Sequence, residues 1–266
     1  MNDKLIIVEK QDRICTITLN RPEKRNSLSP ALLLQFIKVM NSLNDDQETR
    51  VVVIRGAGNE AFSSGYNIFD IPKGMSPDDM EALKKINPLL RCLEVITEYS
   101  YPVIAMINGF ALGAGCEFAA TCDLRVATDK AKFGMPPAKL GVLYSFSGHR
   151  RFVNLVGEAN AKELFLTGRM IDAQRAKEMG LVNYVVSEDN LLSVTYDLAR
   201  EIAAENAPLS VSGAKTLIDK CVSSPIPTAE DKALAEDLIN RCFSSEDLKE
   251  GQKAFKEKRK PNFQGK

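Results

Sequence analysis

Three glycines lie within seven residues, between a short apolar run and a longer apolar segment. Val103–Ile107 follows a proline and is typical of a buried strand; Gly109, Gly113 and Gly115 come next, and the chain from Cys116 onward has the composition of a buried helix. The first N–H groups of a helix have no intrahelical partner and lie at the positive end of its dipole. Small residues let a ligand oxygen approach this backbone closely. The spacing indicates a site for an oxyanion, although the same glycines would also suit tight packing of a strand against a helix.

A second stretch of small residues, Ala-Phe-Ser-Ser-Gly-Tyr-Asn-Ile at positions 61–68, also follows an apolar strand. Together the two stretches resemble the paired oxyanion-hole motifs of the crotonase (enoyl-CoA hydratase/isomerase) superfamily, whose members stabilise a thioester enolate through two backbone N–H groups. The resemblance implies that the donors are the N–H groups of Tyr66 and Ala114. It assigns binding of the coenzyme A thioester to the other matched residues of the two loops: Ser63, Gly65, Asn67, Ile68 and Gly113.

Two further positions bear on the reaction. Hydratases of the superfamily hold water between two glutamates, one acting as base and the other as acid, because hydration of a conjugated double bond needs two positioned proton transfers. The first position corresponds to Glu117, and the second falls on Pro137. Proline cannot transfer a proton, so the pattern does not predict a two-glutamate hydratase or an isomerase that relies on the second glutamate.

The sequence Leu-Gly-Val-Leu-Tyr at 140–144 and the C-terminal tail are most similar to methylmalonyl-CoA decarboxylase within the superfamily, where a tyrosine matching Tyr144 holds the substrate carboxylate. Loss of CO2 from a malonyl-type thioester leaves an enolate, which each N–H donor can stabilise by about 3 kcal/mol. A second ionised glutamate would repel such a substrate. We therefore predict a decarboxylating carbon–carbon lyase in which Tyr66, Ala114, Glu117 and Tyr144 act in catalysis. This chain differs from the decarboxylase at Tyr66, where the decarboxylase has a histidine. It also has Asn67 at a position where aspartate is usual.

Two alternatives remain open. An enoyl-CoA hydratase or isomerase could work with Glu117 alone, with water or Tyr144 in the role of the missing acid. A non-catalytic acyl-CoA-binding subunit would bind coenzyme A thioesters but would be insensitive to substitution of Tyr144 or Glu117. For Glu117 itself, three roles are compatible with the sequence: a carboxyl protonated by burial, a hydrogen-bonded structural group, or a proton donor to the enolate.

The flanking sequence predicts the elements that position these residues. Alternating apolar and polar residues at 5–9 and 14–19 predict a hairpin, Ser29 and Pro30 predict the N-cap and first residue of a helix, and residues 51–55 predict a buried strand. Residues 71–87 are interpreted as a mobile flap and 132–147 as an irregular stretch, and separate helices are predicted at 152–156 and 162–167. No G-x-G-x-x-G opens a helix after the first strand, which disfavours a dinucleotide-binding sheet.

The resemblance implies an α/β fold: a crotonase-like spiral of repeated ββα units over residues 1–190, followed by a C-terminal helical region at 191–266 for oligomerisation and coenzyme A contact. It places Lys24 and Arg25 beside the adenine and phosphate end of coenzyme A. Phe255 and Lys258 match the C-terminal residues that approach coenzyme A, often across a subunit contact. The expected assembly is a homotrimer or a dimer of trimers.

Composition restricts the other classes of function. Lys plus Arg equals Asp plus Glu at 35 each, so no net charge attracts nucleic acid or a membrane surface. Six scattered cysteines without C-x-x-C spacing indicate reduced thiols, and His149 is the single histidine, which disfavours a metal site. We expect a cytoplasmic enzyme that needs no cofactor beyond the coenzyme A moiety of its substrate.

Overall fold

The computed structural model describes residues 4–46, 48–66, 81, 85–223 and 226–266. Asn67, Ile68 and most of the predicted flap at 71–87 lie outside the described residues.

The larger sheet forms the centre of the fold. In the described part of the chain its strands run in the order β1-β2-β3-β5-β7-β10, with β1 antiparallel to β2 and the other neighbours parallel. The strands are almost continuously apolar from β2 to β5, as expected for a parallel sheet covered on both faces. Their bounds are β1 Ile6–Gln11, β2 Ile14–Leu19, β3 Val51–Gly56, β5 Val103–Ile107, β7 Leu124–Thr128 and β10 Tyr184–Val186.

A smaller sheet lies beside it, and its first three strands each follow a strand of the larger sheet along the chain. Its order is β4-β6-β8-β9, with β9 antiparallel to β8 and the other pairs parallel. The prediction of an irregular stretch at 132–147 is wrong at its start, where β8 forms, because three residues are too few to show a strand period. The strands are β4 Ala61–Ser63, β6 Phe110–Leu112, β8 Lys132–Gly134 and β9 Met170–Asp172.

The helices cover both faces of the larger sheet. Ser29 caps the first of them by accepting a hydrogen bond from the N–H of Leu32, and Pro30 is its first residue, which confirms the predicted helix start. The helices are α1 Pro30–Asn44, α2 Pro88–Glu98, α3 Ala114–Thr121, α4 Phe146–Thr167, α5 Ala173–Glu178, α6 Glu188–Arg200, α7 Pro208–Ser223, α8 Ala229–Ser244 and α9 Glu246–Glu257.

The helix α4 contains both short helices predicted at 152–156 and 162–167, one on each side of Gly157. It runs as one element but is kinked at Gly157, whose φ of 78° is non-helical. Glycine adopts this left-handed backbone without the Cβ clash that other residues incur. The two predicted helices therefore correspond to the parts of α4 before and after this kink.

The core has one layer on each face of the larger sheet. On one face α1, α2 and α3 pack together, and the rings of Phe36 and Phe118 meet edge to face with centroids 4.9 Å apart. On the other face α6 covers the alternate side chains of the strands, including Val53 and Met106. The helix α3 also contacts β4 and β6 of the smaller sheet, which fixes the position of its N-terminus.

A buried ion pair joins the C-terminal helices to the core. The Nζ of Lys215 on α7 lies 2.8 Å from Oδ2 of Asp123 and 3.1 Å from the carbonyl oxygen of Tyr101. The same Asp123 oxygen accepts a hydrogen bond of 2.7 Å from the N–H of Val103. The lysine side chain is only 8% exposed, so this contact anchors α7 beneath the strand that leads to the glycine-rich loop.

Replacing Lys215 with methionine is expected to lower the free energy of unfolding by about 3 kcal/mol, because it leaves the partly buried carboxylate of Asp123 without its charged partner. Chemical denaturation measures this change. Lys220→Met is a matched control on the same helix: its ion pair with Asp231 spans 3.3 Å and its side chain is 51% exposed, so the expected change is below about 1 kcal/mol. Equal losses in the two variants would contradict the role of Lys215.

Candidate active site

The two loops predicted to form an oxyanion hole meet at the N-terminus of α3. A Cβ atom at Gly65, where φ is +100°, would lie 2.6 Å from the carbonyl oxygen of Leu112 and 3.4 Å from the amide nitrogen of Ala114. A Cβ at Gly115 would lie 2.5 Å from the carbonyl oxygen of Ser63. Both approaches are closer than a side chain permits. The glycines therefore let the first loop lie directly against the first turn of the helix, so tight packing and convergence of the loops occur together.

The N–H groups of the predicted donors are bonded to no acceptor in the part of the chain that the structure describes. Within the described ranges, the N–H of neither Tyr66 nor Ala114 donates a hydrogen bond. The first loop is held instead through its neighbours, since the N–H of Leu28 donates to the carbonyl oxygen of Gly65 at 2.9 Å. Ala114 is the first residue of α3, where an unpartnered N–H is normal. Two free donors on adjoining segments are suited to binding one oxyanion.

Glu117 lies in the first turn of the same helix and is 2% exposed. Its Oε1 forms an ion pair of 2.9 Å with Nη1 of Arg151 on α4. Burial raises the pKa of the Glu117 carboxyl above its usual value, and the charges of Arg151 and His149 oppose this effect. A buried carboxyl with a raised pKa beside an oxyanion site is suited to proton transfer.

Tyr144 reaches the same place from the loop before α4. A Cβ at Gly113 would lie 3.4 Å from the Tyr144 hydroxyl, and the tyrosine ring packs edge-on against Phe165 with centroids 5.8 Å apart. No other described residue hydrogen-bonds to this hydroxyl. Burial raises the pKa of Tyr144, followed in effect by the charge of Glu117, so the group is a neutral O–H donor at neutral pH.

Pro137 is buried and begins a short 3-10 helix, Pro137–Leu140. This turn ends at Gly141 with a φ of 66°, and the chain then directs Tyr144 inward. Leu143 and Phe146, which flank Tyr144 in sequence, point outward and are 87% and 83% exposed. The position that matches a second glutamate therefore contributes only an apolar ring.

The basic turn predicted to meet coenzyme A adjoins the first loop. The N–H of Ser64 donates to the carbonyl oxygen of Arg25 at 2.9 Å, and the Ser64 hydroxyl donates to that of Lys24 at 3.4 Å. The Nε of Arg25 pairs with Glu60 at 2.6 Å, and its guanidinium lies 5.9 Å from the centre of the Phe110 ring. The turn is thus in reach of a ligand bound at the loops, with the Arg25 charge shared with Glu60.

The C-terminal residues lie on a different element. Phe255 is on α9 and is 87% exposed, and Lys258 ends that helix in a left-handed conformation with φ of 52°. The helix packs against α8. Contact of these two residues with coenzyme A remains a prediction.

The described part of the chain has no cluster of three metal-ligating side chains and no helix long and apolar enough to cross a membrane. Cys116 and Cys122 are buried free thiols, as predicted. Burial raises the pKa of each thiol to about 12, so neither acts as a nucleophile at neutral pH.

Sequence reasoning missed Arg151 and Gly148, which contact Glu117 from α4. Gly148 is buried, and a Cβ there would lie 2.8 Å from Oε1 of Glu117. The available signal was the segment Ser-Gly-His-Arg-Arg just after Tyr144, at the start of a helix. Its pairing with a residue 34 positions earlier depends on tertiary structure.

A buried carboxyl, a tyrosine hydroxyl and two N–H groups without a partner in the described chain lie around the start of one helix, an arrangement suited to an enzyme that stabilises an oxyanion. The enoyl-CoA hydratase/isomerase family model matches residues 9–266. The chain therefore belongs to the enoyl-CoA hydratase/isomerase family and has the α/β crotonase fold.

Similar proteins cover nearly the whole chain. The short-chain-enoyl-CoA hydratase of Clostridium acetobutylicum is 36% identical over 255 residues, which are 96% of this chain and 95% of that protein. The crotonyl-CoA hydratase of Syntrophomonas wolfei is 35% identical and covers 97% of each chain. The crystal structure of an enoyl-CoA hydratase from Bacillus anthracis superposes with a TM-score of 0.88 at 34% identity, covering 99% of this chain and all of that one.

Proposed function

We propose that the protein acts on a coenzyme A thioester and stabilises its enolate form with the N–H groups of Tyr66 and Ala114. The observation that carries this proposal is the close approach of Gly65 to the amide nitrogen of Ala114, with no described residue accepting a hydrogen bond from either donor. Charge that develops on the thioester oxygen would be met by two fixed dipoles that need no rearrangement.

Reversible hydration of an enoyl-CoA is the reaction best supported by similar proteins, since the named relatives are hydratases. This supports the alternative drawn from sequence better than decarboxylation. In this mechanism Glu117 accepts a proton from the attacking water, the new carbon–oxygen bond forms at the β-carbon, and the enolate takes a proton at the α-carbon. Tyr144 is the donor for that proton, and proton transfer from Glu117 to the tyrosinate restores both groups.

Decarboxylation of a malonyl-type thioester is a second candidate, favoured by two local features. Pro137 is buried at the position that matches the second glutamate, and the Tyr144 hydroxyl, beside Gly113, has no hydrogen-bond partner among the described residues. Here Tyr144 would hold the leaving carboxylate, the bond to CO2 would break, and its electron pair would pass to the enolate under the two N–H groups. The positive charge of Arg151, in contact with the Glu117 carboxylate, lowers the repulsion between that carboxylate and a negatively charged malonyl-type substrate.

Product analysis separates the two reactions. Incubation with crotonyl-CoA and with methylmalonyl-CoA in parallel, followed by mass spectrometry, would show gain of water or loss of CO2. Gain of water on crotonyl-CoA supports hydration; loss of CO2 from methylmalonyl-CoA without hydration would replace it with decarboxylation. Turnover of neither thioester, with tight binding of coenzyme A esters, would indicate a binding subunit.

Tyr144→Phe is expected to lower kcat for hydration about 100-fold or more with little change in KM, because it removes a proton donor and keeps the ring packing. Steady-state kinetics at several pH values measure this. Tyr184→Phe, on the partly exposed strand β10, is the control and should leave both constants unchanged. A rise in KM without loss of kcat would contradict the donor role and indicate that Tyr144 only binds the substrate.

A further inference from the structure

The first turn of α4 is shaped around the carboxylate of Glu117. Ser145 caps the helix by accepting a hydrogen bond of 3.2 Å from the N–H of Gly148. Any Cβ at Gly148 would meet Oε1 of Glu117 at 2.8 Å. The carboxylate is thus seated against the start of a helix, where the partial positive charge of the helix dipole lies.

Arg151 makes the two carboxylate oxygens unequal. The Nη1 of Arg151 donates a hydrogen bond of 2.9 Å to Oε1 of Glu117. The arginine side chain is 23% exposed, whereas the glutamate side chain is 3% exposed. None of the described residues donates a hydrogen bond to Oε2. One oxygen is therefore held by the protein, and the other has its lone pairs available.

The remaining titratable groups that face Glu117 carry no negative charge at neutral pH. They are His149 on α4, Cys116 on α3 and Tyr144 in the preceding loop. The Nδ1 of His149 lies 2.9 Å from the carbonyl oxygen of Ser145, and its ring packs on Phe165 with centroids 4.6 Å apart. Within the described chain, the charged group in contact with the Glu117 carboxylate is thus the positive guanidinium of Arg151.

We propose that Arg151 is a positioning residue that holds Oε1 of Glu117, keeps the side chain in its carboxylate form and leaves Oε2 free to accept a proton. This assignment rests on the proposed function, because it makes Glu117 the base and Tyr144 the donor in enolate chemistry. It also excludes the role of Glu117 as a resident acid. Sequence alone had left these roles open.

Titration of Glu117 tests the inference without any turnover. The full-length protein is labelled with 13C at glutamate carboxyl carbons, and the Glu117 signal is assigned by its loss in Glu117→Gln. In Arg151→Gln we expect the pKa of Glu117 to rise by about 1 to 3 pH units, because an opposite charge in contact favours the ionised form. Arg151→Lys keeps the charge and should return the pKa most of the way to that of the unsubstituted protein.

Arg150→Gln is the matched control. The neighbouring arginine donates to the carbonyl oxygens of Val222 and Ser223 and not to Glu117, so its removal should leave the titration unchanged. An unchanged Glu117 pKa in Arg151→Gln, or an equal change in Arg150→Gln, would overturn the proposal. If Arg151 only stabilised the fold, Arg151→Gln would lower the melting temperature and leave the Glu117 pKa of the folded protein unchanged.

The pH profile of hydration gives the second readout. A base must be ionised to act, so a higher Glu117 pKa moves the acidic limb of kcat/KM to higher pH in Arg151→Gln. We expect the limb to move by the same amount as the carboxyl titration, and Arg151→Lys to restore it. A limb that stays in place while the titration moves would overturn the base role of Glu117. Absence of turnover in the unsubstituted protein would instead refute the proposed function, and the titration would still decide whether Arg151 sets the charge.

Discussion

Replacing Ala114 with proline should lower kcat on the preferred thioester by about 100- to 1,000-fold while the fold is kept, because it deletes one oxyanion donor. Proline has no N–H but is well tolerated as the first residue of a helix, and Ala114 has that position in α3. The preceding Gly113 has φ of 53° and ψ of −123°, outside the helical region that proline disfavours in the residue before it. The substitution therefore removes the backbone N–H of residue 114, which every other amino acid would retain.

Ala114→Ser is the control for this experiment, since it adds one atom and retains the N–H. Circular dichroism and thermal melting check that Ala114→Pro is folded, and calorimetric binding of butyryl-CoA checks that the site accepts a thioester. Loss of kcat with binding retained means that the N–H acts mainly in the transition state. A rate within a factor of about three of the unsubstituted protein would show that Ala114 is not a donor for the oxyanion.

The site could be predicted as far as its chemistry depends on local sequence. The small-residue loops indicated an oxyanion site because backbone donors need only a strand, a tight turn and a helix start. Convergence of the two loops required the resemblance, since Gly65 and Ala114 belong to different segments and their contact depends on the parallel pairing of β4 with β6. Both strands are three residues long, which is too short for periodicity to reveal them.

Long-range polar contacts were beyond prediction for a different reason. The guanidinium groups of Arg13 and Arg50 both donate to the carbonyl oxygen of Phe263, at 3.2 and 3.1 Å, across most of the chain length. Asp247 accepts hydrogen bonds from the N–H groups of Gln264 and Gly265 at 2.7 Å each. A sequence presents these residues as an ordinary turn and a basic tail, because nothing local specifies which main-chain carbonyl a guanidinium will meet. The same limit concealed the pairing of Arg151 with Glu117.

Replacing Glu117 with glutamine should lower the rate of enoyl-CoA hydration by about 100- to 10,000-fold, because it removes the group that accepts the proton of water. Glutamine keeps the shape of the side chain and can still accept a hydrogen bond from Arg151, so the loss is chemical. Steady-state assays with crotonyl-CoA measure it, and Glu163→Gln is the control, since Glu163 forms a 2.7 Å ion pair with Arg175 on a partly exposed surface.

The same variant distinguishes the two candidate reactions by its effect on each. Decarboxylation draws its electrons from the breaking carbon–carbon bond and its stabilisation from the N–H groups of Tyr66 and Ala114, so Glu117→Gln should leave methylmalonyl-CoA turnover within about tenfold. The folding of Glu117→Gln must be checked, because the substitution leaves Arg151 without a counter-charge and could destabilise the protein. The double variant Glu117→Gln/Arg151→Met removes that charge and should show the same loss of hydration. Full hydration by either variant would show that the proton is taken by another group and that Glu117 serves only to seat α4 against α3.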